Sequence, residues 1–141
     1  MPEPPRGDKR GATSALCFDY GTKKIGVAYG QNISGTAKAL PPIAARDGVP
    51  DWDIVARLLE EWAPQCLVVG LPLNMDDSES AISTRARKFA RRLHGRYGLP
   101  VTLVDERLTT RQAREEAMPG ESVDSVAAAI LLRNWFSAVD C

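Results

Sequence analysis

The 141-residue chain has a single histidine, His94. A Ser-His-Asp or Cys-His mechanism needs a base placed beside a nucleophile, and no motif here supplies one, so triad chemistry is set aside. The cysteines, Cys17, Cys66 and Cys141, are odd in number and share no metal-like spacing. The first two sit in apolar runs, where a cysteine acts as a small hydrophobe; a reduced, cytoplasmic setting is expected. No apolar run approaches the roughly 20 residues needed to span a bilayer, so no membrane partner is expected. Lys plus Arg and Asp plus Glu are 18 each, which removes any overall field toward nucleic acid. Such binding would need a local basic patch. There is no internal repeat and no low-complexity block.

What is present suits one domain with a respectable core, at 44% hydrophobic residues. Residues 1–14, "MPEPPRGDKRGATS", are polar and rich in Pro and Gly, and predict a disordered lead-in to a domain over 15–141. Strands are expected over 15–20, 25–30 and 34–40, with "PPIAARDGVP" as a loop. Asp51 reads as an N-cap before Val55, Leu58, Leu59 and Trp62 at helical spacing, with Pro64 as the stop. "CLVVGLP", 66–72, is a buried strand; a helix over 80–97, a strand over 101–106, a helix through "TRQAREEAM" and a last helix over 123–139 follow. A meander followed by alternation predicts an α/β fold with helices on the faces of a mixed sheet.

Acids fall at three element ends. Asp19 closes the first strand, Asp105 and Glu106 close a later one, and Asp124 opens the last helix. The carboxyl ends of parallel strands form the functional edge of such sheets. Taken singly, each acid has a plainer use: a turn former at Asp19, a cap at Asp105 or Glu106, a first-turn acid at Asp124. Taken together, converging carboxylates without basic partners titrate upward or collect cations. Hard oxygen ligands select magnesium or manganese, the ions that serve phosphodiester hydrolysis. Gly21, Gly26 and Gly70 permit close backbone approach near these ends.

Basic residues crowd the 80–97 helix, with Arg85, Lys88 and Arg92 on one stripe, and Lys23 and Lys24 follow Asp19. They are candidates to track a phosphate backbone, against a solvated helix face as the alternative. Tyr20 and Tyr29 are either base-stacking residues or partly buried core. Trp52, Trp62 and Trp135 read as core anchors.

"FDYGTKKIGVA", "VVGLPLNMD", "VDERLTT" and "VDSVAAAILL" together resemble the YqgF/RuvX family of pre-16S rRNA nucleases, also called Holliday junction resolvase-like proteins. The resemblance runs from about Ala15 to Phe136. It implies an RNase H-like fold, a five-stranded mixed sheet (β-β-β-α-β-α-β-α) flanked by helices. It implies a metal-dependent nuclease that matures the 5′ end of pre-16S rRNA in pre-ribosomal particles, with Mg²⁺ or Mn²⁺ held by Asp19, Glu106 and Asp124. Asp105 is the rival to Glu106, because adjacent strand residues face opposite ways. By the same likeness Lys24, Asn74, Arg107 and Thr109 are substrate-side residues. The resemblance departs at "AMPGESV", where family members usually carry a longer, often basic segment. Alternatives are a branched-DNA resolvase, which needs a paired dimer; a phosphotransferase, suggested by "DYGTKKIG"; and a non-catalytic ribosome-assembly module. Monomer and homodimer both remain open.

Overall fold

The computed structural model describes residues 13–72, 80–106 and 109–139, without the side chains of 109–111, 138 and 139. Its centre is β1 (Ser14–Asp19). β2 (Lys24–Gln31) runs antiparallel to β1, and β3 (Thr36–Arg46) antiparallel to β2. β5 (Cys66–Leu71) and β6 (Val101–Asp105) add on the other side as parallel strands. The sheet order is β4-β3-β2-β1-β5-β6, six strands rather than the expected five. The sixth, β4 (Val49–Pro50), is a two-residue addition paired with Ala45 and Arg46 of β3.

β3 corrects a second expectation, since most of the supposed loop "PPIAARDGVP" belongs to it. The register slips by one residue between Ile25 and Val27 of β2, placing Pro41 and Pro42 opposite Gly26. This is a β-bulge, where a missing proline N–H costs no ladder bond. Leu40 and Ile43 are buried on the same face with two exposed prolines between them, which erases the period-2 pattern in the sequence.

Helices cover both faces. α1 (Trp52–Trp62) starts at Asp51, whose carboxylate accepts from Asp53 N, and ends at Ala63 in the left-handed region. α2 (Ala81–Tyr97) starts at a Ser80–Ser83 capping box and ends at Gly98 with φ 71°. They pack on Leu16, Phe18, Leu67 and Val69, with Val55, Phe89 and Leu93 as their inserted residues. α4 (Val123–Val139) packs on the opposite face against Ala15, Cys17, Ala28 and Val68. Its outer side is covered by α3 (Thr109–Glu116) through Ala113, Val126 and Ile130. α4 is therefore apolar nearly all round, as a helix enclosed on two sides must be. β5, covered on both faces, is buried at every residue and shows no alternation. Trp52, Trp62 and Trp135 are half-buried at the margins of these clusters. Among the described residues no helix is long and apolar enough to cross a membrane.

Candidate active site

Alternation along β1 sends Ala15, Cys17 and Asp19 to the α4 face, and Leu16 and Phe18 to the α1–α2 face. Asp19 is thus a carboxylate at the end of a strand buried on both sides, and only 7% of it is exposed. β6 lies two strands away, with β5 between. In its ladder Gly70 pairs with Val104 and Leu71 with Asp105, and Glu106 N–H donates to Leu71 O at 3.2 Å. Glu106 therefore shares the face of Val104, and Asp105 takes the opposite one. Asp105 is exposed, while Glu106 is buried and hydrogen-bonded to Asp19. The two candidates at this strand end are separated by the pleat.

Gly70 makes the crossing of β5 possible. A β-carbon there would stand 2.9 Å from Glu106 Oε2 and 3.1 Å from its Cδ. Gly26, paired with Asp19 on the other side, does the same for α4. A β-carbon at Gly26 would collide with the carbonyl of Asp124. α4 is locked to that spot by Ser125, whose Oγ accepts from the buried Val27 N–H at 3.1 Å, where the bulge interrupts the β2–β3 ladder. Ser122 Oγ accepts from Ser125 N at 3.2 Å and so caps the helix. The cap is taken by Ser122, which leaves the half-buried Asp124 carboxylate without a capping role.

The three acids consequently feel one another. Asp19 is held above the usual carboxylate range, first by burial and further by the charge of Asp124, while its hydrogen bond with Glu106 opposes the rise. Glu106 is pushed up strongly by burial, by its hydrogen bond to Asp19 and by the charges of Asp19, Asp105 and Asp124. Two carboxyls that hydrogen-bond to each other hold a proton between them, and both shifts run in the direction that keeps it there. Beneath them Cys17 is completely buried, and burial, with Asp19 and Glu106 nearby, keeps its thiol neutral. Among the described residues no three acids, as they stand, form a ready-made ion site. The arrangement is a proton-sharing pair with a third carboxylate in electrostatic reach. Its donors are hard carboxylate oxygens, the set that a divalent cation would take once the proton leaves.

The other candidates divide. Lys24 is exposed and opens β2 at the same sheet edge as Asp19. Arg85, Lys88 and Arg92 are not brought to the acids; they line a cleft on the α1–α2 face with Tyr20. Asn74 and Arg107, and the side chain of Thr109, lie outside the described residues. The close approach expected at Gly26 and Gly70 is found at both, to Asp124 and to Glu106. Sequence reasoning missed the anchoring role of Ser125.

The architecture is an RNase H-like fold of the kind seen in junction resolvases. T. thermophilus RuvC, solved in complex with a Holliday junction substrate, superposes with a TM-score of 0.54 at 18% identity, covering 89% of this chain and 94% of that one. Fowlpox virus resolvase, solved with Holliday junction DNA, gives 0.57 at 14% identity over 90% and 99%. The chain belongs to the RuvX family, whose model, described as "RuvX: Holliday junction resolvase", matches residues 13–138. A relative from Citrobacter koseri named "Putative pre-16S rRNA nuclease" is 55% identical over 129 residues, 86% of this chain and 94% of its own. A relative of the same name from Mannheimia succiniciproducens is 54% identical over 130 residues, 86% and 93% respectively.

Proposed function

We propose that this protein is a divalent-metal-dependent nuclease that processes the 5′ end of pre-16S rRNA. The observation that carries the reading is the reach of Glu106 across β5 to Asp19, beside Asp124. Burying like charges together costs stability, and a fold retains such a cluster where a cation is to be held. Asp19, Glu106 and Asp124 would hold magnesium or manganese. When bound, a pair of such ions activates a water and stabilises the leaving oxygen of a phosphodiester. The chain itself supplies a fixed, largely dry floor: Asp19 set by the β1 ladder, Glu106 by the β5–β6 ladder, Asp124 by the Ser125–Val27 bond. Lys24, Asn74, Arg107 and Thr109 are proposed to contact substrate.

The RNA substrate follows the names of the relatives at more than 50% identity. Branched DNA is the second reading, favoured by the description of the family model. The cytoplasm is the compartment proposed for either, in keeping with the free thiols of Cys17 and Cys66.

The test is incubation of a pre-16S fragment and a synthetic four-way junction, side by side, with magnesium, manganese or EDTA, using wild type and Asp19→Asn. Cleavage of the rRNA fragment only with metal and only by wild type is expected. Cleavage that survives in EDTA or in Asp19→Asn defeats the reading, and preferential cutting of the junction selects the second one.

A further inference from the structure

Tyr20 follows Asp19 but turns to the opposite face of the sheet. It is buried, its hydroxyl donates to the Gly48 carbonyl at 2.9 Å, and its ring packs on Phe89 with centroids 5.3 Å apart. It forms one wall of a cleft of about 260 Å³ between the Asp47–Pro50 turn and α2. Arg85, Lys88 and Arg92 line the α2 side, at i, i+3 and i+7. All three are exposed, and none makes an ion pair among the described residues. Against these three cations the cleft sets one acid, Asp47.

The aromatic residues do not offer a platform. Phe89 lies against both Tyr20 and Trp52, and the Arg96 guanidinium covers the Trp52 ring at 4.1 Å. Base stacking needs an open ring face. The cleft therefore presents positive charge without one, spread over about 10 Å of helix from Arg85 to Arg92. That chemistry suits backbone phosphates and is indifferent to base identity.

Its position adds a constraint. The acids lie on the α4 face and the cleft on the α1–α2 face, separated by the end of β1. A strand serving both must fold over the sheet edge past the turn that carries the exposed Lys23 and Lys24. A duplex is too stiff for so tight a path, since it resists bending over tens of base pairs; a single strand is not.

We propose that the Arg85–Lys88–Arg92 cleft is a second subsite that holds backbone phosphates of single-stranded RNA, while the adjoining stretch of the same strand lies at Asp19. The inference rests on the nuclease reading for what happens at Asp19, and only there.

The experiment is fluorescence anisotropy in EDTA with a labelled 12-nucleotide single-stranded RNA, a DNA strand of equal length and a blunt RNA duplex. Wild type is compared with Arg85→Gln/Lys88→Gln/Arg92→Gln and with a control, Lys38→Gln/Arg57→Gln/Arg114→Gln, which removes as many charges elsewhere. Three phosphate contacts at about 0.7 each predict that the log–log salt slope for single strands falls by about 2 in the cleft variant. Affinity for both single strands drops by about tenfold or more at moderate salt, and duplex binding changes less than about threefold. A wild-type slope in the cleft variant, an equal loss in the control, or an equal loss for duplex would overturn the subsite. If circular dichroism shows the triple variant unfolded, Lys88→Gln alone replaces it, with an expected fall of about 0.7. Wild-type cleavage with an unaltered slope removes the subsite and keeps the nuclease. A lowered slope with no cleavage by wild type does the reverse.

Discussion

The Glu106 carboxylate lies against Gly70, too close for a β-carbon at residue 70 to fit without a shift. A β-carbon at Gly70 would meet Glu106 Oε2 at 2.9 Å and Leu131 Cδ1 at 2.8 Å. The glycine in the intervening strand is what allows acids from β1 and β6 to touch. Gly70→Ala is expected to cost about 1–3 kcal/mol from overpacking. Cleavage is expected to fall by more than that instability explains, because Glu106 is displaced. Thermal unfolding together with single-turnover cleavage measures both; wild-type cleavage by a folded Gly70→Ala would remove the steric argument.

Asp19→Asn and Glu106→Gln are expected to lower metal-dependent cleavage by about 10²-fold or more. Neither should destabilise the metal-free fold, since each removes one of two buried carboxyls that repel when charged. A melting temperature several degrees below wild type in EDTA, for both variants, would mean that the pair serves the fold and not a cation.

The metal-free protein should lose stability as pH rises. Burial first, and neighbouring carboxylates next, raise the folded values of Glu106 and Asp19 above those of the unfolded chain. Between the ordinary carboxylate range and those raised values, the native state holds more protons than the unfolded state. Stability is therefore full below that window and declines through it. The melting temperature in EDTA should fall as pH rises from the ordinary carboxylate range toward the value of about 10 to which Glu106 is raised, and Glu106→Gln should flatten the decline. Added magnesium should recover more stability at the higher pH, where the carboxyls can release their protons. A pH-independent melting temperature would contradict the proton-sharing pair.

Ser125→Ala tests the anchor of α4. The hydroxyl is the acceptor for the Val27 N–H at 3.1 Å, and Ser125 is 1% exposed. Leaving that buried donor without its partner should cost about 1–3 kcal/mol. Because Asp124 rides on the same turn, magnesium affinity should weaken as well. Ser125→Thr, which keeps a hydroxyl, should retain more of both than alanine does, as read by chemical denaturation and calorimetric titration.

The elements were largely legible because their signals are local. Asp51, Ser80, Pro64 and Gly98 mark helix ends through their own backbone preferences. The continuous apolar run of β5 announced a strand covered on both faces. β3 was not legible beyond residue 40, since a bulge puts two prolines between two inward-facing residues and breaks the alternation on which strand reading depends. The two-residue β4 is too short to leave a pattern.

The sequence by itself determined which residues could do chemistry: acids at strand and helix ends, a basic stripe on one helix, and four motifs that carry the family. It also determined the pleat parity that separates Asp105 from Glu106. Only the tertiary structure decided that Glu106 crosses β5 over Gly70, that α4 settles on Gly26, and that the basic stripe faces away from the acids. Those outcomes depend on register, bulge position and the packing of helices against opposite faces. They are set by contacts between residues as many as 98 positions apart, as in the Val27–Ser125 bond. No local window of sequence contains such contacts.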